Sequence, residues 1–188
     1  MPAAVVGSRM HSLSSQEAYY QVSLLGTMQW LETTQASVWL RESLWGYPIV
    51  ESIHVLSLTL FFGFAILLDL RLLGIGLRHT KVSEVAERIL PWTFAGAAIV
   101  VASGLLLFLG DPAKFYGSIF MRVKFALLGL AALNAWLFHH SATWVKRLSQ
   151  WDGATATPIR AKAAAIASLF LWCVIIGTGR WIAYFLPA

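Results

Sequence analysis

Three ionisable residues interrupt apolar runs, and their spacing predicts that they lie at one depth in a membrane. They are His54, Lys124 and Arg180, each six residues inside one end of its run. If the runs are helices that rise 1.5 Å per residue, each side chain lies roughly 9 Å from that end. Because a charged or ionisable side chain is costly inside a bilayer, residues of this kind are candidates for function.

A haem would satisfy this set of side chains. Glu51 shares a helix face with His54, and Arg122 is near the same rim, so the group holds several cations and few acids. The neutral imidazole of His54 would ligate the iron. Arg180 and either Lys124 or Arg122 would neutralise the propionates. A quinone head group or a metal ion is an alternative ligand. Interfacial salt bridges, with Lys124 extended toward water, form the competing interpretation.

A second candidate site lies at the other end of the third apolar run, where His139 and His140 are about level with Asp69 and Arg71. Neighbouring helical residues point about 100° apart, so only one histidine can face a bundle. A second haem or metal ion at His139 is one interpretation. The other is a histidine favoured by the negative end of a helix dipole.

Helices long enough to cross a bilayer would have to position these residues. A spanning helix needs roughly 20 mostly apolar residues, and residues 48–68, 89–109, 118–138 and 163–186 meet that requirement. The predicted fold is an all-α membrane protein, a four-transmembrane-helix bundle over residues 45–188. Residues 21–44 predict an amphipathic helix on the periplasmic surface, and residues 1–20 a loosely ordered N-terminus.

Composition supports a membrane protein and argues against other classes. The 188 residues are 58% hydrophobic and 12% charged, against about 25% charged residues in soluble domains. The net charge of +5 is explained by basic loops, so nucleic-acid binding is not expected. The N-terminus lacks the pattern of a cleaved signal peptide. The single cysteine, Cys173, excludes intramolecular disulfides.

The basic residues predict an orientation. Residues 71–88 carry four Lys or Arg, and the segment between the third and fourth apolar runs carries four more, out of 14 in the chain. The positive-inside rule places both segments in the cytoplasm. The chain is therefore predicted to be a multi-pass protein of the bacterial inner membrane with both termini periplasmic.

The order of these motifs over residues 45–186 resembles a known superfamily of four-helix membrane proteins. The resemblance is carried by residues 54–63 (HVLSLTLFFG), 68–71 (LDLR), 103–104 (SG), 116–117 (YG), 122–124 (RVK) and Asn134. The superfamily contains the copper-resistance D domain and the HemJ-type protoporphyrinogen oxidase. Residues 120–139 and 179–184 most resemble an uncharacterised bacterial family of small membrane proteins within it.

The resemblance to the HemJ-type oxidase implies a b-type haem, with His54 as the ligand and Lys124 as the functional lysine. Porphyrinogen oxidation is not expected, because residues 60–71 lack the Trp, Tyr and Pro of that enzyme. The resemblance to the copper-resistance domain implies metal handling on the periplasmic side, although the membrane segments lack the paired Met or Cys ligands that Cu(I) prefers.

The leading prediction is a haem-b protein of the lipid bilayer that passes electrons between a quinone and a periplasmic redox partner. Two alternatives stay open, a copper- or metal-handling membrane protein and a non-catalytic accessory subunit of a larger membrane complex. If the chain is an enzyme, it is a membrane oxidoreductase. A homo-oligomer is compatible with the sequence.

Overall fold

The computed structural model describes residues 24–139, 148, 150–152 and 157–185, and within these residues the regular structure is helical. Residues 1–20 and His140 lie outside the described part of the chain. In addition to a helical stretch over residues 24–32, six helices are defined. They are α1 (Gln35–Glu42), α2 (Gly46–Leu73), α3 (Val82–Gly110), α4 (Pro112–Gly117), α5 (Ile119–His139) and α6 (Ile159–Phe185).

Four of these helices, α2, α3, α5 and α6, are long and apolar enough to cross a membrane. The expectation of an all-α, multi-pass membrane protein is confirmed at that level. Helices satisfy their backbone hydrogen bonds internally, which is why a chain this apolar adopts them in lipid. The start of α2, the end of α3, the start of α5 and the end of α6 form one end of the bundle, called here the His54 end. The opposite end is called the His139 end.

The long helices run past the predicted spans, chiefly at the His139 end. Helix α2 continues to Leu73 and stops at Gly74, whose φ of 75° is left-handed and whose N–H donates to the carbonyls of Arg71 and Leu70. A glycine in this conformation is a common helix C-cap because it has no Cβ to clash. Helix α3 begins at Val82 and continues through Pro91, well before the predicted start at residue 89.

A distant aspartate explains the early start of α3. The N-cap residue Lys81 makes no side-chain cap. Instead the Asp152 carboxylate accepts a hydrogen bond from the Ser83 backbone N–H at 3.1 Å and another from the Ser83 hydroxyl. Free N–H groups in the first turn of a helix require such acceptors. The first turn of α3 also packs into a buried cluster with α2, Leu148 and α6.

Stability at the His139 end should therefore depend on pH through Asp152. Burial raises the pKa of this carboxyl, but hydrogen bonds from Ser83 and the Val82 backbone, with nearby Lys81, outweigh burial and lower the pKa. A lowered folded pKa stabilises the fold above the unfolded value of about 3.9 and loses that contribution as pH falls through the folded pKa. We expect Asp152→Asn, which replaces a charged hydrogen-bond acceptor by a neutral one, to lower stability by about 1 kcal/mol near neutral pH.

The measurement is detergent unfolding of wild type and Asp152→Asn at several pH values. The difference between the two proteins should shrink as acid protonates the wild-type carboxyl. A difference that stays constant down to pH values below the folded pKa would contradict the capping role.

Some helix pairs pack directly along their length, whereas α3 and α5 meet through aromatic side chains. Helix α2 packs against α3 and α6, and α5 packs against α6. Near mid-membrane, Phe61 of α2 meets Trp172 of α6 edge to face, with ring centroids 4.7 Å apart. Aromatic rings bridge α3 and α5 at both ends, through Phe108 and Phe125 at 5.9 Å and through Phe94 and His139 at 6.3 Å.

The amphipathic N-terminal segment is broken in two, unlike the single helix predicted over residues 21–44. Residues 24–32 and Gln35–Glu42 are helical, with Thr33 and Thr34 between them. The Thr33 and Thr34 hydroxyls donate to the carbonyls of Trp30 and Leu31, at 2.7 Å each. Hydroxyls that bind nearby carbonyls in this way offer the backbone an alternative to continued helix.

Candidate functional site

The imidazole of His54 is held between α2 and α3. Its Nδ1 lies 3.0 Å from the Ser103 hydroxyl. The neighbouring residue, Gly104, has no side chain, and a Cβ there would lie 3.1 Å from His54 Cε1. The Ser-Gly pair on α3 therefore provides one hydrogen-bonding partner and the space that the ring occupies.

The hydrogen bonds of Ser103 assign the tautomer of His54. The Ser103 hydroxyl lies 2.6 Å from the Ile99 carbonyl, and a hydroxyl has a single hydrogen to donate. With that hydrogen directed at Ile99, the Ser103 oxygen accepts from His54, so Nδ1 carries the proton. In a neutral imidazole, Nε2 then bears the lone pair. This is the nitrogen that can ligate iron or accept a proton.

Lys124 of α5 lies at the same end of the bundle, against α6. The side chain is half-buried, and its Nζ lies 3.4 Å from the position that a Cβ on Gly179 would take. The bare backbone of α6 at Gly179 therefore leaves room for the ammonium group. Lys124 and Glu51 are the charged residues near enough to act electrostatically on His54. His54 and Lys124 therefore lie near enough to interact electrostatically, as expected if they share a depth in the membrane.

The other predicted residues lie farther out at the His54 end. Arg180, Arg122 and Glu51 are exposed. The Arg180 guanidinium lies over the Tyr184 ring, 5.9 Å from its centroid, and Arg122 lies over the Tyr116 ring at 5.5 Å. Across the described ranges the one ion pair is Arg88–Glu84. The salt bridges of the competing interpretation are therefore not formed there.

His139 is engaged with its own helix. Its Nδ1 lies 2.7 Å from the Ala135 carbonyl, and its ring packs against Phe138 and Phe94. Because a carbonyl only accepts, the Nδ1–H donates to it. This arrangement is that of a histidine completing a helix C-terminus, and it leaves Nε2 as the only nitrogen that could meet a metal ion.

The structure also shows polar partners that the sequence did not single out. Asp69 is only 8% exposed and is placed to accept a hydrogen bond from Ser168 of α6. Ser103 stood out only as part of a family motif. Its position next to a glycine, one helix away from an intramembrane histidine, is the signal that could have identified it as the partner of His54.

Metal coordination by several side chains finds no support in the part of the chain that the structure describes. No group of three His, Cys, Asp or Glu residues there could hold a metal ion. A tetrapyrrole supplies four nitrogen ligands itself and asks the protein for only one or two axial ligands. The donor set at His54 therefore fits haem better than a bare metal ion.

Comparison with known proteins gives one family match. The model of a family of unknown function, DUF6644, matches residues 19–185. No curated protein and no solved structure matches the chain. The expected membership of an uncharacterised family is supported, whereas no named relative supports the resemblance to the copper-resistance domain or the HemJ-type oxidase.

Proposed function

The chain belongs to the family of unknown function DUF6644, and we propose that it is a b-type haem-binding membrane protein that transfers electrons. The observation that carries the proposal is the imidazole of His54, whose Nδ1 lies 3.0 Å from the Ser103 hydroxyl, so that Nε2 is the nitrogen that would ligate iron. A histidine oriented through its second nitrogen is the usual arrangement of a metal-binding imidazole.

The cations at this end give the proposal its second support. Lys124 and Arg180 take part in no ion pair among the described residues, so both are available to an anion. Haem propionates are such anions and pair well with ammonium and guanidinium groups. In this arrangement His54 would hold the iron, Lys124 and Arg180 would hold the propionates, and the haem would supply one-electron redox chemistry when bound.

A quinone of the membrane and a periplasmic protein would be the electron donor and acceptor in this proposal. The site at the His54 end suits such an exchange because it lies within reach of both lipid and the adjacent aqueous side. Glu51, exposed at the same end, would contribute to the charge that a soluble partner meets.

We further propose that the chain lies in the bacterial inner membrane with the His54 end toward the periplasm. The support is the basic loop that joins α2 and α3 at the opposite end. Under this orientation the helical stretch 24–32 and α1 lie on the periplasmic surface. Alkaline phosphatase fused after residue 188 should be active and green fluorescent protein dark. The reverse pattern would overturn the orientation.

The proposed cofactor is tested by a reduced-minus-oxidised visible spectrum of detergent-purified protein, with a pyridine haemochrome assay. Expression in haem-replete cells should give a b-type spectrum with about one haem per chain. A colourless protein that unfolds cooperatively would refute haem binding. Metal analysis of the same sample then separates a metal-handling protein from an accessory subunit without a cofactor.

A further inference from the structure

A cavity of about 360 Å³ lies at the His54 end, outside the His54 site. It is enclosed by the helical stretch 24–32, the end of α3, α4 and the start of α5. Its walls are apolar side chains, namely Met28, Phe108, Phe115, Met121 and Phe125. The volume is at the lower end of the roughly 300–1,000 Å³ typical of ligand pockets. An apolar chain or a small ring would fill it.

One charged residue, Arg122, lines this cavity. Its Nε donates to the Tyr116 carbonyl at 3.3 Å, and the guanidinium lies over the Tyr116 ring. These contacts orient the guanidinium while most of its five N–H donors stay available. An oriented guanidinium of this kind can bind a phosphate through two parallel hydrogen bonds.

The depth of Arg122 matches that of a lipid head group. Arg122 is three residues from the start of α5, so it lies roughly 4.5 Å along the helix. The phosphates of a bilayer lie at the ends of its spanning helices, and the cavity extends from Arg122 toward Phe125, deeper along α5. A ligand with its charge on Arg122 would therefore place its apolar part in the cavity.

The cavity has a fixed cover. The Glu32 carboxylate accepts a hydrogen bond from the Ala113 N–H at 3.0 Å, at the first turn of α4, where the helix dipole favours an anion. Arg41 donates to the Glu32 carbonyl at 2.6 Å. These bonds tie the stretch 24–32, which supplies Met28, to α4 and α1.

From these observations we infer that the cavity binds an anionic phospholipid, with one acyl chain between the aromatic walls and the phosphate on Arg122. We favour an acyl chain over a quinone ring because the lining is mostly apolar and Arg122 is the one charged residue in it, beside the Tyr116 ring. The inference is independent of haem binding at His54, because His54 lies against α3 and does not line this cavity.

The test is native mass spectrometry of the full chain in an uncharged detergent. The probes are phosphatidylglycerol, diacylglycerol with the same acyl chains, and inorganic phosphate. We expect phosphatidylglycerol to be retained and the other two probes to bind at least about tenfold more weakly, since each lacks half of the recognised chemistry. If inorganic phosphate binds as tightly as phosphatidylglycerol, the site binds free anions and the proposed lipid site is refuted.

Two variants and a matched control locate the binding. Arg122→Gln removes the charge and Met121→Trp fills the cavity, and each should weaken phosphatidylglycerol binding about tenfold. Arg180→Gln is the control, because that guanidinium also lies over a tyrosine ring at the same end but lines no part of this cavity. Equal losses in Arg122→Gln and Arg180→Gln would indicate non-specific charge attraction and refute the site.

Met121→Trp tests separately whether an acyl chain enters the cavity. If Met121→Trp binds phosphatidylglycerol as wild type does, no chain enters the cavity and the inference fails. Displacement of the lipid by a short-chain quinone would likewise overturn it in favour of a quinone site. Haem content, measured on the same samples, should be unchanged in Met121→Trp, so failure here is distinguishable from failure of the proposed function.

Discussion

His54→Ala is expected to abolish the b-type haem spectrum of the purified protein while leaving a folded, membrane-inserted chain. The His54 ring is held through Nδ1, 3.0 Å from the Ser103 hydroxyl, and Nε2 is the nitrogen proposed to bind iron. Removing it deletes the protein-to-iron bond itself. The effect should exceed the tenfold to hundredfold loss of metal affinity that is typical when only a supporting residue is removed.

Two further variants make this result specific. Ser103→Ala removes the group that orients the ring but keeps the ligand, so haem affinity should fall by about tenfold and not vanish. His79→Ala is the matched control, since His79 is exposed in the loop between α2 and α3 and should leave the spectrum intact. If His54→Ala keeps its full haem content, His54 is not the iron ligand. A half-loss there and in His139→Ala would indicate two haems.

Gly96→Ala is expected to destabilise the helix bundle by about 1–3 kcal/mol. A Cβ at Gly96 would lie 3.1 Å from Phe61 Cβ and 3.3 Å from the Phe61 backbone N and Cα. A backbone cannot rotate away as a side chain can, so α2 and α3 would have to separate. Small residues at such positions are what allow membrane helices to approach closely.

The control for this prediction is Gly177→Ala on α6. Nothing lies within 4 Å of a Cβ built there, so the better helix propensity of alanine should leave stability unchanged or raise it by up to about 1 kcal/mol. The measurement is the unfolding midpoint in detergent, followed by tryptophan fluorescence. Equal midpoints for Gly96→Ala and wild type would show that α2 and α3 are not as close as the structure places them.

Gly104→Ala is expected to lower haem affinity more than it lowers the stability of the helix bundle. The Cβ would meet the tip of the His54 ring, 3.1 Å from Cε1, and not a backbone. A side chain can shift, so stability should change less than in Gly96→Ala, whereas haem affinity should fall because the ring is displaced. The two glycines lie on one helix and both face α2, so the comparison changes mainly which atoms the new Cβ meets.

The number and type of the long helices follow from the sequence alone. In a bilayer every backbone N–H and C=O group must be hydrogen-bonded within the protein. An apolar run of about 20 residues therefore forms a helix, which makes these hydrogen bonds internally. The depth of an intramembrane residue follows as well, since the rise per residue of a helix is constant. For this reason spacing alone indicated that His54 and Lys124 share a level.

The ends of the helices and the rotation of each helix were decided by tertiary contacts. Helix α3 starts at Val82 because Asp152, 69 residues beyond Ser83 in the chain, satisfies its first turn. Spacing showed that Lys124 and Arg122 have similar depth, but they lie about 200° apart around α5. Packing turns Lys124 toward Gly179 and Arg122 toward a separate cavity.

The partner of His54 is the clearest case of this division. The sequence determines that a histidine lies inside the membrane and how deep it lies, because both follow from counting residues along one helix. Which nitrogen carries the proton depends on Ser103 and Ile99, 49 and 45 residues away on α3. That contact exists only once Gly104 and Gly96 let α2 and α3 close on each other, and no property of either helix by itself specifies it.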